Sequence, residues 1–317
     1  MFFPTAGIEV APWLPPMVAF GISFFTSMGG VSGAFLLLPF QVSVLGYANP
    51  SVSATNQLFN IVAIPSGVYR YIREGRMVWP LTWVVIIGTL PGVLIGAIVR
   101  IRYLPDPRSF KLFAGLVLLY IGARLLRDLL QKTQNNKGAA EEEFQRLVRQ
   151  YRQENKARQE SGRRELPRVA VREFSLARIV YEFYGQTFEV PTLGIMGLSL
   201  IVGVVGGIYG IGGGAIIAPF FVSFFGLPVY TVAGAALMGT FVTSVAGVAF
   251  YQFLAPFYPD MVIAPDWGLG LLFGLGGFVG MYCGARLQKF VPPRVIKWIL
   301  TFCILFPAVK YIWGFFR

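Results

Sequence analysis

The sequence predicts an all-α, polytopic membrane protein with two inverted repeats, each made of a broken or re-entrant helical hairpin and three transmembrane helices. Three observations predict this fold: the composition, a series of long apolar segments, and a glycine-rich stretch that occurs twice. Hydrophobic residues make up 55% of the 317 residues, and charged residues make up only 13%. Such a chain has too few polar groups to cover a soluble globule of this size.

The repeated stretch divides the chain into two related halves. Residues 29–46 read GGVSGAFLLLPFQVSVLG, and residues 209–226 read YGIGGGAIIAPFFVSFFG. Corresponding residues include Gly30 and Gly210, Gly33 and Gly213, Pro39 and Pro219, and Ser43 and Ser223. Both copies lie inside apolar segments. Paired, glycine-interrupted hydrophobic segments at corresponding positions are typical of secondary transporters.

The apolar segments predict how often the chain crosses a bilayer, because one crossing needs about 20 apolar residues. The segments lie at roughly 13–46, 51–72, 78–103, 109–127, 193–226, 229–254, 267–288 and 295–316. The first and fifth are too long for one crossing and too short for two. We therefore predict that each consists of two half-helices separated at the glycines, and that every other segment crosses once. Irregular backbone at that depth is tolerated where it lines a cavity.

The loop charges predict the orientation of the two halves. Lys and Arg are concentrated in three regions that we expect on the cytoplasmic side: 70–76, 124–178 and 286–297. The loop at 255–266 carries only acidic charges and is expected outside. These placements require each broken hairpin to enter and leave on one side, so the halves have opposite orientations. The basic loop at 100–111 then lies outside, against the positive-inside rule.

Three regions follow from these boundaries: a first membrane repeat at 13–127, a cytoplasmic linker at 128–190 and a second membrane repeat at 191–317. Within the linker, apolar residues recur at helical spacing between Glu141 and Lys156, which predicts a charged helix. Its role stays open between a spacer, a contact with lipid headgroups and a docking segment.

Polar side chains within the apolar segments are the candidates for a binding pocket. They are Asn56, Gln57 and Asn60 in the first half, and Thr240, Thr243 and Ser244 in the second. Asn56 and Asn60 are one helical turn apart and share a predicted face. Each cluster follows a glycine-broken segment. The alternative role for such residues is hydrogen bonding between packed helices.

The chemistry of this pocket favours an anion. Helices restarting near Gly33 and Gly213 would present N-termini with partial positive charge and unpaired N–H groups. No Asp, Glu or Lys lies in the middle of an apolar segment, unlike in a proton pump or a carboxylate cation site. Amides, hydroxyls and helix N-termini suit a small oxyanion, although the same groups also suit a neutral polar solute.

The motifs GGVSGAFLLLPF, GGIYGIGGGAIIAPF and AGAALMGTFVTSVAG resemble the repeated signatures of the TauE/SafE sulfite exporter family. The resemblance covers about residues 15–127 and 193–316. It implies transport of sulfite, sulfoacetate or related organosulfur anions across the bacterial inner membrane. By position, it assigns the broken elements to Gly29, Gly30, Ser32 and Gly33, and to Gly210, Gly212, Gly213 and Gly214. The motif of the following helix falls on Gly239-Thr240 with Thr243-Ser244, and is altered to Thr55-Asn56-Gln57 in the first half.

Three other functions fit parts of the sequence. The run from Gly30 to Gly33 resembles the nucleophile motif of a rhomboid protease, but that chemistry needs a histidine base and the chain contains no histidine. Cys283 suits an importer of thiosulfate or another sulfur compound, although it and Cys303 more simply resemble small core residues. A passive anion channel would have the same pocket chemistry as a carrier.

We therefore predict a non-enzymatic, multi-pass transporter of the bacterial inner membrane that works by alternating access, without a metal or cofactor. The predicted substrate-binding residues are Gly30, Ser32, Gly33, Asn56, Gln57, Asn60, Gly210, Gly212, Gly213, Thr240, Thr243 and Ser244. Arg100, Arg102, Arg286 and Lys289 are predicted at the pathway entrances, where they attract anions.

The expected partners are a small sulfur oxyanion or sulfonate and membrane lipid, with no nucleic acid. Small-residue faces such as Gly92-x-x-x-Gly96 would pack helices either within one chain or in a homodimer.

Overall fold

The structure, a computed structural model of the chain, is dominated by helices. It describes residues 1–28, 31–73, 75–130, 169–183, 185–227, 229–287 and 293–316. The first half contains α1 (Leu14–Met28), α2 (Ala34–Ser43), α3 (Ser51–Ala63), α4 (Pro65–Arg73), α5 (Trp79–Arg102) and α6 (Pro107–Leu130). The second half contains α7 (Thr192–Tyr209), α8 (Ile217–Phe225), α9 (Val229–Leu254), α10 (Trp267–Leu287) and α11 (Pro293–Phe316).

Six of the helices in the described residues, α5, α6, α7, α9, α10 and α11, are long and apolar enough to cross a membrane. Helices α1 and α2 are apolar but shorter. This confirms the predicted all-α, polytopic membrane fold. Large apolar side chains such as Ile87, Leu275 and Phe302 are exposed on these helices, as expected for surfaces in contact with lipid.

The set of crossing helices differs from the prediction at two places. The segment 51–72 is divided into α3 and α4 at Ile64, because Pro65 has no N–H with which to continue the helical hydrogen bonds. The segment 193–226 is broken at Gly210 as predicted, but its first part, α7, runs for 18 residues to Tyr209 and is longer than the predicted half-helix.

Two small sheets were not predicted. Strands β1 (Phe2–Phe3) and β2 (Ile8–Glu9) form an antiparallel pair at the N-terminus. Strands β3 (Ala170–Phe174), β4 (Arg178–Phe183) and β5 (Gln186–Pro191) form an antiparallel sheet in order β3-β4-β5. The second sheet occupies the end of the region predicted as linker, whereas the helix predicted over 141–156 lies outside the described residues.

The two sheets mark opposite ends of the helical bundle. The N-terminal face carries β1–β2 and the 258–266 loop, which are joined where the Ala6 N–H donates to Asp266 Oδ2 at 3.1 Å. The sheet face carries β3–β5. There, Tyr181 Oη donates to Thr231 Oγ1 at 2.9 Å in the first turns of α9, and the Val169 N–H donates to the Gly75 carbonyl just before α5.

Corresponding helices of the two halves make corresponding contacts. Helix α5 packs against α7, and its counterpart α10 packs against α1, the counterpart of α7. Helix α5 also packs against α9, and α10 packs against α3 in the same way. The pairs α3–α9 and α6–α11 join corresponding helices. Exchanging each helix for its counterpart in the other half therefore reproduces the same set of packed pairs.

Close contacts give the relative directions of these helices. Along α3 and α9, Gln57 lies against Gly247 whereas Asn60 lies near Ser244, so the two helices are antiparallel. Along α6 and α11, Gly115 meets Ala308 and Gly122 meets Leu305, which is also antiparallel. Antiparallel counterparts are what an inverted repeat requires.

Contacts between α2 and α3 show to which face of the bundle the broken hairpin returns. Helix α2 runs antiparallel to α3, because Ser32 meets Asn60 near the start of α2 and Tyr47 meets Ser51 after its end. Helix α2 therefore returns to the N-terminal face, from which α1 started. In the second half, α8 likewise returns to the sheet face, where α7 started and α9 begins.

Small residues bring the paired helices together within the chain. A methyl group added at Gly203 of α7 would lie 2.5 Å from the Thr89 carbonyl oxygen of α5, and one at Gly88 would lie 2.7 Å from Ser199. Gly92 and Gly96 likewise face the backbone of α7. The Gly92-x-x-x-Gly96 face is therefore used for packing inside one chain.

Candidate functional site

The start of α2, which follows the first chain break, is held by hydrogen bonds to α3. Ser32 Oγ donates to Asn60 Oδ1 at 2.6 Å and accepts from the Ala34 N–H at 3.2 Å, which caps the start of α2. Asn56 Nδ2 donates to the Ala34 carbonyl at 3.0 Å, and Gln41 Nε2 donates to Asn56 Oδ1 at 3.2 Å. The predicted residues Ser32, Asn56 and Asn60 thus meet at the N-terminus of α2. Gly29 and Gly30 lie outside the described residues.

The second break approaches the same two asparagines. Gly210 and Gly212 adopt φ values of +81° and +77°, a left-handed conformation that glycine adopts without strain. This turn directs two carbonyl groups at α3: Asn56 Nδ2 donates to Gly210 O at 3.1 Å, and Asn60 Nδ2 donates to Ile211 O at 2.9 Å. The two breaks therefore meet at one pair of side chains.

Helix α9 supplies the hydroxyl groups on the other side of the second break. Thr243 Oγ1 accepts from the Gly213 N–H at 2.9 Å, and Ser244 Oγ lies 3.4 Å from Asn60 Nδ2. Thr240 Oγ1 donates to the Ala236 carbonyl of its own helix at 2.8 Å. The predicted Thr240, Thr243 and Ser244 therefore lie against the second break, and Ser244 also lies beside Asn60.

The glycines between Gly210 and Gly214 are packed too tightly to carry side chains. A methyl group added at Gly212 would lie 2.7 Å from Ser244 Oγ, and one at Gly210 would lie 2.5 Å from Ser53 Cα. After this turn, α8 begins only at Ile217, four residues later than the predicted restart near Gly213. The non-helical backbone of the second break, which is buried, thus extends farther than the sequence indicated.

Gln57 differs from its neighbours in the site. Its side chain is fully buried and lies against Gly247 of α9. Within the part of the chain that the structure describes, neither its Nε2 nor its Oε1 has a hydrogen-bond partner. Leaving a buried amide unpaired costs about 1–3 kcal/mol per polar group, so a native structure retains such a side chain mainly where it has another use.

The site consists of uncharged donors and acceptors. Ser32, Asn56, Gln57, Asn60, Thr240, Thr243 and Ser244 are all fully buried. The carboxamides supply N–H donors without a fixed charge, as does the peptide backbone of the breaks. Such a set can bind and release a small anion without a protonation step. No cluster of metal-ligating side chains occurs in the ranges that the structure describes.

The residues predicted at the entrances lie in different places. Arg102 is exposed at the N-terminal face, and Arg286 is exposed at the other end of the bundle, where α10 ends. Arg100 is fully buried: its guanidinium lies 3.7 Å from the centre of the Phe110 ring and donates to the carbonyls of Leu104 and Ala48. Lys289 lies outside the described residues.

Two residues near the site were missed by the sequence analysis, and one cysteine was placed wrongly. Gln41 was detectable as the only polar side chain in the apolar run FLLLPFQV. Thr89 of α5, against which Gly213 packs, gave no signal beyond its hydroxyl. Cys303 is exposed on α11, rather than a core residue, whereas Cys283 is half-buried.

Comparison with known proteins adds an independent finding. The chain matches the family Sulfite exporter TauE/SafE over residues 16–311, a range that includes both halves and both chain breaks. No curated protein and no solved structure matches the chain. The long apolar helices and this match together show a multi-pass membrane protein of a transporter family. The chain belongs to the TauE/SafE sulfite exporter family.

Proposed function

We propose that the protein is a secondary transporter of the bacterial inner membrane that exports a small sulfur-containing anion, such as sulfite, sulfoacetate or a related organosulfonate. The anion would bind between the two chain breaks and reach each side by alternating access. The repeats at 13–127 and 191–317 would be the moving units, related by a twofold axis in the membrane plane. The antiparallel packing of α3 with α9 and of α6 with α11 supports this symmetry.

The observation that carries the proposal is the unpaired amide of Gln57. It lies one residue from Asn56 and one helical turn from Asn60, on the helix that contacts both breaks. Its two N–H groups can donate to an oxyanion without breaking an existing bond. The substrate-binding set would then be Gln57 with the predicted residues Gly30, Ser32, Gly33, Asn56, Asn60, Gly210, Gly212, Gly213, Thr240, Thr243 and Ser244.

A neutral site has a consequence for the driving force. Because the site residues carry no charge, the protein does not neutralise the bound anion, and uncoupled transport moves the full charge of the substrate across the membrane. That movement is worth about 2.3 kcal/mol per charge per 100 mV. In a cell with a negative interior, the potential drives the anion outward, which favours export. The cytoplasmic side would be the sheet face, with the 128–190 region.

The test compares Gln57→Leu with Ser199→Ala in proteoliposomes. Both variants remove an unpaired buried polar group, but Ser199 lies between α7 and α5, away from the breaks. We expect both proteins to be at least as thermally stable as the wild type. Gln57→Leu should reduce sulfite flux about tenfold or more, the loss of one charge-assisted hydrogen bond, and Ser199→Ala should leave it unchanged. Normal flux in stable Gln57→Leu protein would place the substrate elsewhere.

The same vesicles separate the alternative functions. An imposed potential, positive on the side of anion exit, should accelerate flux. Flux should saturate with sulfite concentration and be stimulated by sulfite on the opposite side, as for a carrier. Unsaturated conductance would indicate a passive channel. Transport of thiosulfate but not sulfite, in the inward direction, would indicate an importer.

A further inference from the structure

A group of cations lies outside the central site, at the N-terminal face. There, the ends of α2, α6 and α11 enclose a cavity of about 230 Å³. Three of its lining residues are basic, Arg108, Lys111 and Lys310, and none is acidic. The volume is below the 300–1,000 Å³ typical of sites for drug-sized ligands, so the cavity suits a small ion or one headgroup.

The positions of these cations are unfavourable without a ligand. Arg108 and Lys111 lie in the first turns of α6, where the helix dipole repels positive charge. They also repel each other and Lys310 across the cavity. Among the described residues, Lys111 and Lys310 form no ion pair with an acidic side chain.

The carboxylate that precedes α6, Asp106, is already engaged. Asp106 Oδ2 accepts from the Ser109 N–H at 2.9 Å and from Ser109 Oγ at 3.2 Å, so this carboxylate caps α6. Arg108 is anchored at the rim, because its Nη2 donates to the Phe315 carbonyl at 2.7 Å. The two lysines therefore retain their donors for a ligand.

The cavity touches the re-entrant helix that reaches the central site. Ser43, the last residue of α2, donates from Oγ to Tyr311 Oη at 2.7 Å, and Tyr311 Oη donates to the Pro39 carbonyl at 3.2 Å. Helix α2 has 10 residues, which span about 15 Å at ~1.5 Å per residue. Its other end holds Ser32 and Ala34 of the first break.

We propose that this cavity is a peripheral anion site that binds one small oxyanion group through Lys111, Lys310 and Arg108. The group is either the transported sulfur anion, collected at the exit side, or the phosphate of an anionic lipid. The first source rests on the proposed function. The site itself does not, because its charges are separate from the central amides.

The experiment measures binding in nanodiscs made from a zwitterionic lipid. Radiolabelled sulfite is titrated against the wild type, Lys111→Gln/Lys310→Gln, Asn60→Leu and Arg127→Gln, an exposed base at the opposite end of α6. In a parallel arm without sulfite, native mass spectrometry counts phosphatidylglycerol molecules bound to the same proteins. Thermal unfolding establishes that each variant is folded.

The double lysine variant should weaken peripheral sulfite binding about tenfold, or lose one bound phosphatidylglycerol, because each exposed charge contact contributes roughly threefold. Added salt should weaken the binding too, and Arg127→Gln should bind as the wild type does. Loss of sulfite binding identifies the substrate as the ligand, and loss of the lipid alone identifies a headgroup.

If the double variant retains both sulfite and lipid binding, the cavity is not an anion site. Asn60→Leu separates this result from failure of the proposed function. A central site elsewhere would leave Asn60→Leu with normal binding, while the double lysine variant would still lose the peripheral anion.

Discussion

Two threonines of α9, one turn apart, are expected to have separable roles. Thr243 Oγ1 accepts from the Gly213 N–H of the second break at 2.9 Å, whereas Thr240 Oγ1 donates to the Ala236 carbonyl of its own helix at 2.8 Å. Valine has nearly the shape of threonine and lacks the hydroxyl. Thr243→Val and Thr240→Val therefore differ mainly in whether the break loses a hydrogen-bond partner.

The expected loss of stability depends on which polar group loses its hydrogen-bond partner in each variant. In Thr243→Val, the Gly213 N–H remains buried without an acceptor, which costs about 1–3 kcal/mol, or nearer 0.6 kcal/mol on the scale measured between membrane helices. In Thr240→Val, the Ala236 carbonyl keeps its helical amide partner, so the stability loss should be below about 0.5 kcal/mol. The Thr240 hydroxyl is instead predicted to face the substrate, so this variant should lose flux.

The assay pairs thermal unfolding in detergent with sulfite flux in proteoliposomes. Thr243→Val should unfold at a lower temperature than Thr240→Val. Thr240→Val should keep wild-type stability and show roughly tenfold lower flux, the value of about one hydrogen bond. The reasoning fails if the two variants have the same unfolding temperature, or if Thr240→Val transports normally.

Three further predictions concern packing, backbone conformation and pH. Gly203→Ala should destabilise the protein by about 1–3 kcal/mol, because its methyl group would lie 2.5 Å from the Thr89 carbonyl oxygen. As a control on the same helix, the methyl group of Gly197→Ala meets nothing within 4 Å, so this variant should be neutral or stabilising in a thermal melt. Gly212→Ala should be costly, since its φ of +77° adds about 1–2 kcal/mol of strain to the contact with Ser244, and a melt equal to that of the wild type would contradict this. The hydrogen bond from the Ser109 N–H lowers the pKa of the Asp106 carboxyl in the folded protein. The ionised carboxyl therefore stabilises α6 fully above its unfolded pKa of about 4, and this stabilisation is lost as pH falls through the lower folded pKa. Asp106→Asn should flatten this acid dependence of the unfolding temperature, and an unchanged pH profile would remove Asp106 as its source.

The repeat in the sequence was informative because its glycines have a backbone role. Gly210 and Gly212 adopt left-handed conformations at the second break, and the apolar segments around them form the expected helices. Asn56 and Asn60 were found because two carboxamides one turn apart are rare in an apolar segment. Their partners in the other half were not predictable, since the bonds to Gly210 and Ile211 depend on how α3 packs against the turn.

Other features depended on signals that are weaker or hidden by composition. In β4, the buried Ile179, Tyr181 and Phe183 alternate with less buried residues, Arg178, Val180 and Glu182, so the period of a strand was present inside a stretch interpreted from its charges as linker. Arg100 was assigned to an entrance because it ends an apolar segment. Its burial over Phe110 depends on the fold of a distant loop, which no local pattern records.

The position of Asn60 makes the two halves mechanically dependent on each other. Its Oδ1 accepts from Ser32 Oγ beside the first break and its Nδ2 donates to the Ile211 carbonyl of the second, so one side chain is hydrogen-bonded to both breaks. In the proposed alternating-access mechanism, breaking one of these hydrogen bonds would open the pathway toward one compartment. The break that stays bonded to Asn60 would then block the other side. The Asn60 carboxamide would thus prevent the pathway from opening to both sides at once, which protects the ion gradients of the cell from leakage.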